Sequence, residues 1–427
     1  MWDRVWTNAV VATMAESGAE AGAEAGAEGG LPFGMIGAGA VAVAAGRIGW
    51  VGRADEAPPA ADVVDCGGMV LTPGLVDPHT HVVHAGERRG DWEMRLAGAT
   101  RDDLIRVNAG IRGTMLTTRD TSEPDLYAQS ARRVRTLIGN GVTTLESKSG
   151  YGLDLPTELR LLRVSREIGR RLPVDMVCTF MGAHAVPPEY WDHPDDYIGY
   201  LCDVVLPAAV AAGLVDIVDG FCDTAAFRGF THAQMDRMFD AAAAHGKPVT
   251  LHADQYSLAG AAALAARHGA LSAAHLEYTD AAGAEALAAA GTVAILLPGA
   301  NYTLFEAKKP DVALFRSKGV RMALATNNNP SSSPCLMPTA IMNLGCTLFR
   351  MTAEEAVAGF TREAARALGL LADRGTIEVG KRADLVLWDL AHPAELPYRI
   401  AYSPVCTVIR GGETVFAAAQ ELLVLNS

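Results

Sequence analysis

Eight short apolar runs, separated by helical stretches, constrain this chain more than any other feature. They are "MVLTPGLVDPHTH" (69–81), "GVTTLESKSGYG" (141–152), "PVDMVCTFMGAHA" (173–185), "LVDIVDGFCD" (214–223), "KPVTLHADQ" (247–255), "ALSAAHLE" (270–277), "TVAILLPGA" (292–300) and "GVRMALATNNNP" (319–330). Segments between them, such as "THAQMDRMFDAAAAHG", carry helical periodicity. Eight strand–helix repeats predict a closed parallel barrel. Nearly every run ends in polar or ionisable residues: His79 and His81, Glu146 and Lys148, His184, Asp223, His252 with Asp254 and Gln255, His275, and Asn327 with Asn329. In a (β/α)8 barrel those ends converge on one mouth, where the chemistry sits. The connection from Val82 to Asn140 is too long for one crossover and predicts extra loop and helix over that mouth.

The flanks have a different character. "DRVWTNAVVATM" and "AVAVAAGRIGWVG" precede the barrel; "GTIEVGKRADLVLWDL" and "PVCTVIRGGETVFA" follow it. All are short β-type pieces broken by Gly turns. The expected division is residues 1–70 and 371–427 as the two parts of a small β-sandwich, around a barrel at 71–370. "ESGAEAGAEAGAEGG" (16–30) lacks side chains that could fill a core and reads as a surface loop.

The 427 residues carry a formal charge of −13, which argues against nucleic acid or an anionic membrane surface as a partner. Seven cysteines without a CxxC pair fit reduced thiols in the cytoplasm. The first residues lack a signal-peptide pattern, and no run of about 18 apolar residues exists to span a membrane. The expected partner is a small-molecule substrate, and a homodimer is compatible with the sequence without being required by it.

His79-Thr80-His81 alternates along a strand, so both imidazoles face one side. Alone, such a pair is a weak signal. With His252 ending the fifth run and His275 the sixth, it points to a divalent metal, Zn2+ or Fe2+/Fe3+. Such an ion polarises a carbonyl-type group and makes hydroxide available near neutral pH.

Several longer motifs go further. "TPGLVDPHTHVVHAGERR", "ESKSGYGL", "GAHAVPPE", "LHADQ", "SAAHLE", "AILLPGA" and "ATNNNPSSSP", with "GTIEVGKRADLV" near the end, resemble the imidazolonepropionase family of the amidohydrolase superfamily. The resemblance runs from about Thr72 to Asp384. It implies metal-dependent opening of an imidazolone ring to N-formimidoyl-glutamate in histidine breakdown. It also implies pairing of the terminal β-pieces into one domain beside the barrel. By motif, the metal ligands would be His79, His81 and His252, with the eighth-strand position falling on Asn327. Arg88 would grip the propionate, a role suited to a planar fork. Tyr151 and His184 would contact the ring and its chain. Asn329, Ser331 and Ser332 would hold the far end, and His275 would sit near the attacking water. Glu146 and Lys148 are expected to pair with each other inside the barrel.

The departures are as informative. The family pattern Thr-Asp-x-Asn-Pro is here Thr326-Asn327-Asn328-Asn329-Pro330, and His-Ala-Asp-Glu is His252-Ala253-Asp254-Gln255. Ser331 stands for a glycine, and His84 for an aromatic or apolar residue. Two carboxylates have thus become amides at positions assigned to catalysis, and an amide cannot accept the proton a carboxylate takes. Four readings follow: an imidazolonepropionase; a sister enzyme that hydrolyses 3-(5-oxo-2-thioxoimidazolidin-4-yl)propionate with release of sulfide; a homologue that binds metal or ligand without turnover; and a different amidohydrolase such as a deaminase.

Overall fold

The computed structural model describes residues 2–16, 32–107, 109–226 and 229–418. The glycine- and alanine-rich stretch expected as a surface loop lies outside them from residue 17 onward. Two eight-stranded sheets organise the chain. The first five strands are β1 (Trp2–Ala12), β2 (Met35–Ala44), β3 (Arg47–Arg53), β4 (Ala60–Asp65) and β5 (Val70–Pro73). Eight more follow: β6 (Leu75–Asp77), β7 (Val142–Lys148), β8 (Asp175–Ala183), β9 (Ile217–Cys222), β10 (Thr250–Ala253), β11 (Ser272–His275), β12 (Val293–Leu296) and β13 (Met322–Leu324). The last three are β14 (Leu385–Trp388), β15 (Val405–Arg410) and β16 (Glu413–Ala417).

Strands β6 to β13 lie side by side in chain order, each parallel to the next. Their side chains are buried on both faces, which is why these runs read as continuous apolar stretches rather than as alternating ones. The ring nearly closes at the C-terminal rim. There Asn327 N–H donates to His79 O (3.0 Å) and His81 N–H to Asn328 O (2.9 Å). Several strands leave the sheet through left-handed backbone: Asp254 (φ 50°), His275 (φ 78°), Leu276 (φ 68°) and Asn327 (φ 49°). Asn, Asp and His enter that region more readily than other residues, whereas Leu does so only at a cost. The sharp turns aim the strand-end side chains into the mouth.

The second sheet joins both flanks of the chain in the order β16-β15-β14-β5-β1-β2-β3, with β4 also on β1. Its pairs are mainly antiparallel, but β1 runs parallel to β4 with its first half and to β5 with its second. It is therefore one connected sheet, and strands from both of its ends bury a shared core that includes Trp6, Val41, Ile48, Leu71, Leu385 and Ile409. Consecutive strands β5 and β6 belong to different sheets, and Gly74 between them leaves no room for a side chain against Thr143.

The long connection after β6 forms helices α1 (Arg89–Leu96), α2 (Arg101–Arg106) and α3 (Ile111–Asp120), then α4 (Glu123–Gly139), which packs outside the barrel. Helix α5 (Leu155–Arg171) follows β7, and Asp154 caps it by accepting from Thr157 N–H (2.8 Å). No helix among the described residues is long and apolar enough to cross a membrane. All seven cysteines are free thiols.

Candidate active site

A cavity of about 740 Å3 opens at the C-terminal rim of the barrel. Of the residues singled out from sequence, His81, Tyr151, His184, His252, Gln255, His275, Asn327, Asn329, Ser331 and Ser332 line it. His79 lies beneath, with its ring 4.5 Å from that of His252. The ligand atoms offered by His79, His81 and His252 lie within 4.8 Å of one another. His79 Nε2, His81 Nδ1 and His252 Nε2 are buried and make no hydrogen bond. Three buried imidazoles with unpartnered nitrogens, grouped this closely, suit a divalent ion. Burial also keeps them neutral, the form that ligates. It pushes His79 and His81 well below the ordinary histidine range, helped by Lys148 for the first and His184 for the second, and it holds His252 at about 4. The residues present therefore fit a metal.

The three histidines are held by a buried charge relay. His252 Nδ1 faces Asp219 Oδ1 at 3.3 Å. Lys148 Nζ pairs with Asp219 Oδ2 at 2.8 Å and with Glu146 Oε1 at 2.9 Å. Glu146 Oε2 in turn accepts from the N–H of Thr80 (3.0 Å), the residue between His79 and His81. One ammonium thus ties both halves of the ligand set together. Burial disfavours its charge, but the Asp219 and Glu146 carboxylates outweigh that and keep Lys148 protonated more firmly than usual. The expected pairing of Glu146 with Lys148 is present. Asp219 escaped the sequence reading because it lies in mid-strand rather than at a strand end. The available signal was an acid inside the otherwise apolar "IVDGF".

Above the ligands, aromatic rings form one wall. His184 stacks on His81 with 5.0 Å between centroids and 18° between planes. Tyr151 lies 5.3 Å from His184 and 5.6 Å from His81. The "SGYGL" turn carrying Tyr151 is fixed by Glu158, whose carboxylate accepts from the N–H groups of Gly150, Gly152 and Leu153. Gly150 has φ 94°, and a Cβ there would sit 2.7 Å from Met181 O and 3.0 Å from His184. Glycine is thus required for Tyr151 and His184 to share the wall. His184 Nδ1 contacts Gly150 O at 3.0 Å, and burial holds its ring neutral, at about 3.

Three sequence expectations change in detail. Arg88 does not border the cavity. Its Nη2 donates to Thr117 Oγ1 (3.1 Å) and its Nε is buried without a partner. Asn329 borders the cavity but spends its amide on its own loop. Its Oδ1 accepts from the N–H of Ser331 (2.9 Å) and Ser332 (2.7 Å), and its Nδ2 donates to Asn327 O (2.7 Å) and Ser332 Oγ (2.8 Å). Asp223 and Asp254, counted among the polar strand ends, are likewise occupied with backbone. Asp223 accepts from Tyr256 and Ser257 N–H, and Asp254 from Ala261 N–H and Thr279 Oγ1. His275 is at the cavity with Nδ1 3.5 Å from Glu277 Oε1.

Residues 106–416 match the model of the amidohydrolase family. The imidazolonepropionase of Caulobacter vibrioides (strain NA1000 / CB15N) is 51% identical over 405 residues, covering 94% of this chain and 97% of that one. The chain is an amidohydrolase of the imidazolonepropionase family. A further imidazolonepropionase, from Methylobacterium sp. (strain 4-46), is 50% identical over 96% of this chain and 99% of its own. Among solved structures, 5-methylcytosine deaminase from Klebsiella pneumoniae liganded with 5-fluorocytosine superposes with a TM-score of 0.74 at 17% identity, covering 97% of both chains. An adenosine deaminase from Xanthomonas campestris with bound zinc gives 0.66 at 17%, over 97% of this chain and 92% of that one. At such identities the likeness is one of fold. The imidazolonepropionase family membership rests on the sequence matches.

Proposed function

We propose that this chain is a metal-dependent hydrolase of a five-membered nitrogen heterocycle bearing a propionate, with imidazolone propionate as the substrate its family membership favours. The observation that carries the reading is the trio His79, His81 and His252, with unpartnered nitrogens beneath a wall of Tyr151 and His184. Zinc or iron held there would polarise the ring carbonyl and supply hydroxide near neutral pH. The chain's own groups do the rest. Tyr151 and His184 hold the flat ring between aromatic surface and ligand set. Arg88, whose Nε is buried without a partner, is the guanidinium that the family motif assigns to the carboxylate. His275, backed by Glu277, handles a proton through Nε2. Water oxygen adds to the lactam carbon, the ring C–N bond breaks, and the amidine nitrogen takes up a proton.

A second reading is favoured by Asn327 and Gln255, which border the cavity where family members carry acids. An amidine nitrogen departs poorly without a returned proton, and a carboxylate that takes and returns it does that work. Hydrosulfide is far less basic and needs no such acid. For 3-(5-oxo-2-thioxoimidazolidin-4-yl)propionate, water oxygen adds to the thiocarbonyl carbon, the C–S bond breaks, and the products are hydrosulfide and the dioxo ring. Purified metal-loaded protein assayed on both compounds, following ring absorbance and sulfide, separates the readings. Ring opening of imidazolone propionate without sulfide from the thioxo compound supports the first. Sulfide release with sluggish imidazolone opening supports the second. Turnover of neither sinks both.

A further inference from the structure

Three arginines on the helices that roof the cavity border it, Arg95, Arg106 and Arg112, and Arg88 beside them does not. Arg88 Nη2 donates to Thr117, Arg106 pairs with Asp103 at 2.9 Å, and the Arg112 guanidinium lies 5.2 Å over the Trp191 ring. Arg95, in the last turn of α1, differs from Arg88 in that the nitrogen left over is a terminal one at the cavity rather than Nε behind it. It borders the cavity, its Nη1 is buried, and that nitrogen finds no hydrogen-bond partner. The acids near it do not fill the vacancy. Asp91 accepts from Gly110 N–H (2.7 Å), and Glu306 acts on Arg95 only through space. A buried donor on a cation is costly to leave unmade. A planar fork facing a cavity is matched best by a carboxylate.

Resting on the ring-plus-propionate reading above, we propose that Arg95 is a specificity-determining residue that captures the substrate's carboxylate at the cavity mouth. Arg88 is set back from the cavity surface and cannot be the first cation an incoming anion meets. Arg95 is on that surface, on a short helix that also carries the exposed Trp92 and Leu96. Docking a carboxylate on Arg95 satisfies Nη1, and Arg88 at the start of the same helix is a second guanidinium beside it. Selection for an anionic tail is then exercised before the ring reaches the metal ligands.

The test compares Arg95→Met and Arg95→Lys with the unmodified protein in two assays. The first measures kcat/KM on whichever ring is turned over, as the propionate and as its neutral propionamide. The second measures calorimetric binding of glutarate, a plain dicarboxylate, and needs no turnover. Metal content and melting temperature establish that each variant is folded. The expected result is a KM for the propionate raised roughly ten- to hundred-fold in Arg95→Met. The loss should exceed that on the propionamide by at least ten-fold, glutarate binding should weaken in parallel, and Arg95→Lys should fall between. Equal losses on acid and amide, with glutarate binding unchanged, would overturn the inference and leave the ring-hydrolase reading intact. No turnover of either ring, with glutarate binding lost in Arg95→Met, would uphold Arg95 as a carboxylate site and remove the proposed substrate.

Discussion

Replacing Lys148 by methionine tests the charge relay beneath His79, His81 and His252. Lys148, Glu146 and Asp219 are each 2% exposed or less, and the ammonium sits 2.9 and 2.8 Å from the two carboxylates. Methionine fills much of the same volume, so the change removes the charge with little cavity. Two buried carboxylates then face each other without a cation. Breaking a buried pair by removing one partner costs about 3–5 kcal/mol. With an unfolding entropy of roughly 2.1 cal/mol/K per residue, 427 residues give about 0.9 kcal/mol/K. The melting temperature should therefore fall by about 3–6 °C at neutral pH.

The sign of the pH dependence makes the test sharper. Burial already pushes the Glu146 carboxyl up, and Lys148 is the first group that opposes it. Without the ammonium, Glu146 and Asp219 both acquire folded values above their unfolded ones. A group raised in the folded state contributes stability that is complete below its unfolded pKa and lost as pH rises through the folded pKa. The deficit of Lys148→Met should therefore be small at pH 5, where one carboxyl takes a proton, and larger at pH 8. Denaturant melts of both proteins at the two pH values measure it. An equal deficit at both, or none at pH 8, would refute the claim that Lys148 is the charge holding the relay together.

Other expectations can be checked separately. His252→Ala should lose most of its metal in elemental analysis; full retention would exclude this ligand set. Arg88→Lys should raise KM several-fold while metal stays bound, since an ammonium cannot make two parallel bonds to a carboxylate; an unchanged KM would place the carboxylate elsewhere. Asp175, on β8, meets Arg374 (2.6 Å) and Arg382 (2.8 Å) from the C-terminal segment and Arg410 on β15. Burial pushes its carboxyl up, but the three guanidiniums outweigh that and hold it below the usual range. Its contribution is present above an unfolded pKa of about 3.9 and lost as pH falls through the lower folded value. Acid titration should thus narrow the stability gap between the unmodified protein and Asp175→Asn below about pH 4; a gap that stays constant would remove Asp175 as the linkage. Asn327→Asp with Gln255→Glu should speed imidazolone opening and slow sulfide release if the thioxo reading holds, and gain little if the imidazolone reading does.

The barrel was legible because parallel strands buried on both faces leave continuous apolar runs, and their polar ends fall where the mouth must be. His79, His81 and His252 were legible for the same reason. Asp219 was not, because a mid-strand acid is visible as functional only when its partners, Lys148 and His252, are known to face it. Arg95 was hidden for another reason: a helix over the mouth shows no strand-end signal, and which of several arginines lacks a partner depends on tertiary packing. Asn329 borders the cavity, but its side-chain bonds within the 327–332 loop follow from turn chemistry that favours Asn wherever a chain must fold back on itself.

The same reasoning bears on why Asn327 matters. At this position the fold depends on backbone. Its N–H bonds to His79 O, its carbonyl accepts from Asn329 Nδ2, and its φ of 49° suits Asn as readily as Asp. The side chain faces the cavity, and so does that of Gln255. An acid-to-amide exchange at either site is therefore nearly isosteric and leaves those backbone bonds in place. What it removes is a negative charge and a proton acceptor beside three neutral imidazoles. With amides at both positions, the proton carriers near the histidine trio include His275, backed by Glu277, while the Glu306 carboxylate also borders the cavity. A substrate whose leaving group departs as an anion suits such a site, because amides at 327 and 255 place no carboxylate charge there to oppose it. The paired amides thus bear on which ring is cleaved, while leaving intact the scaffold that binds it.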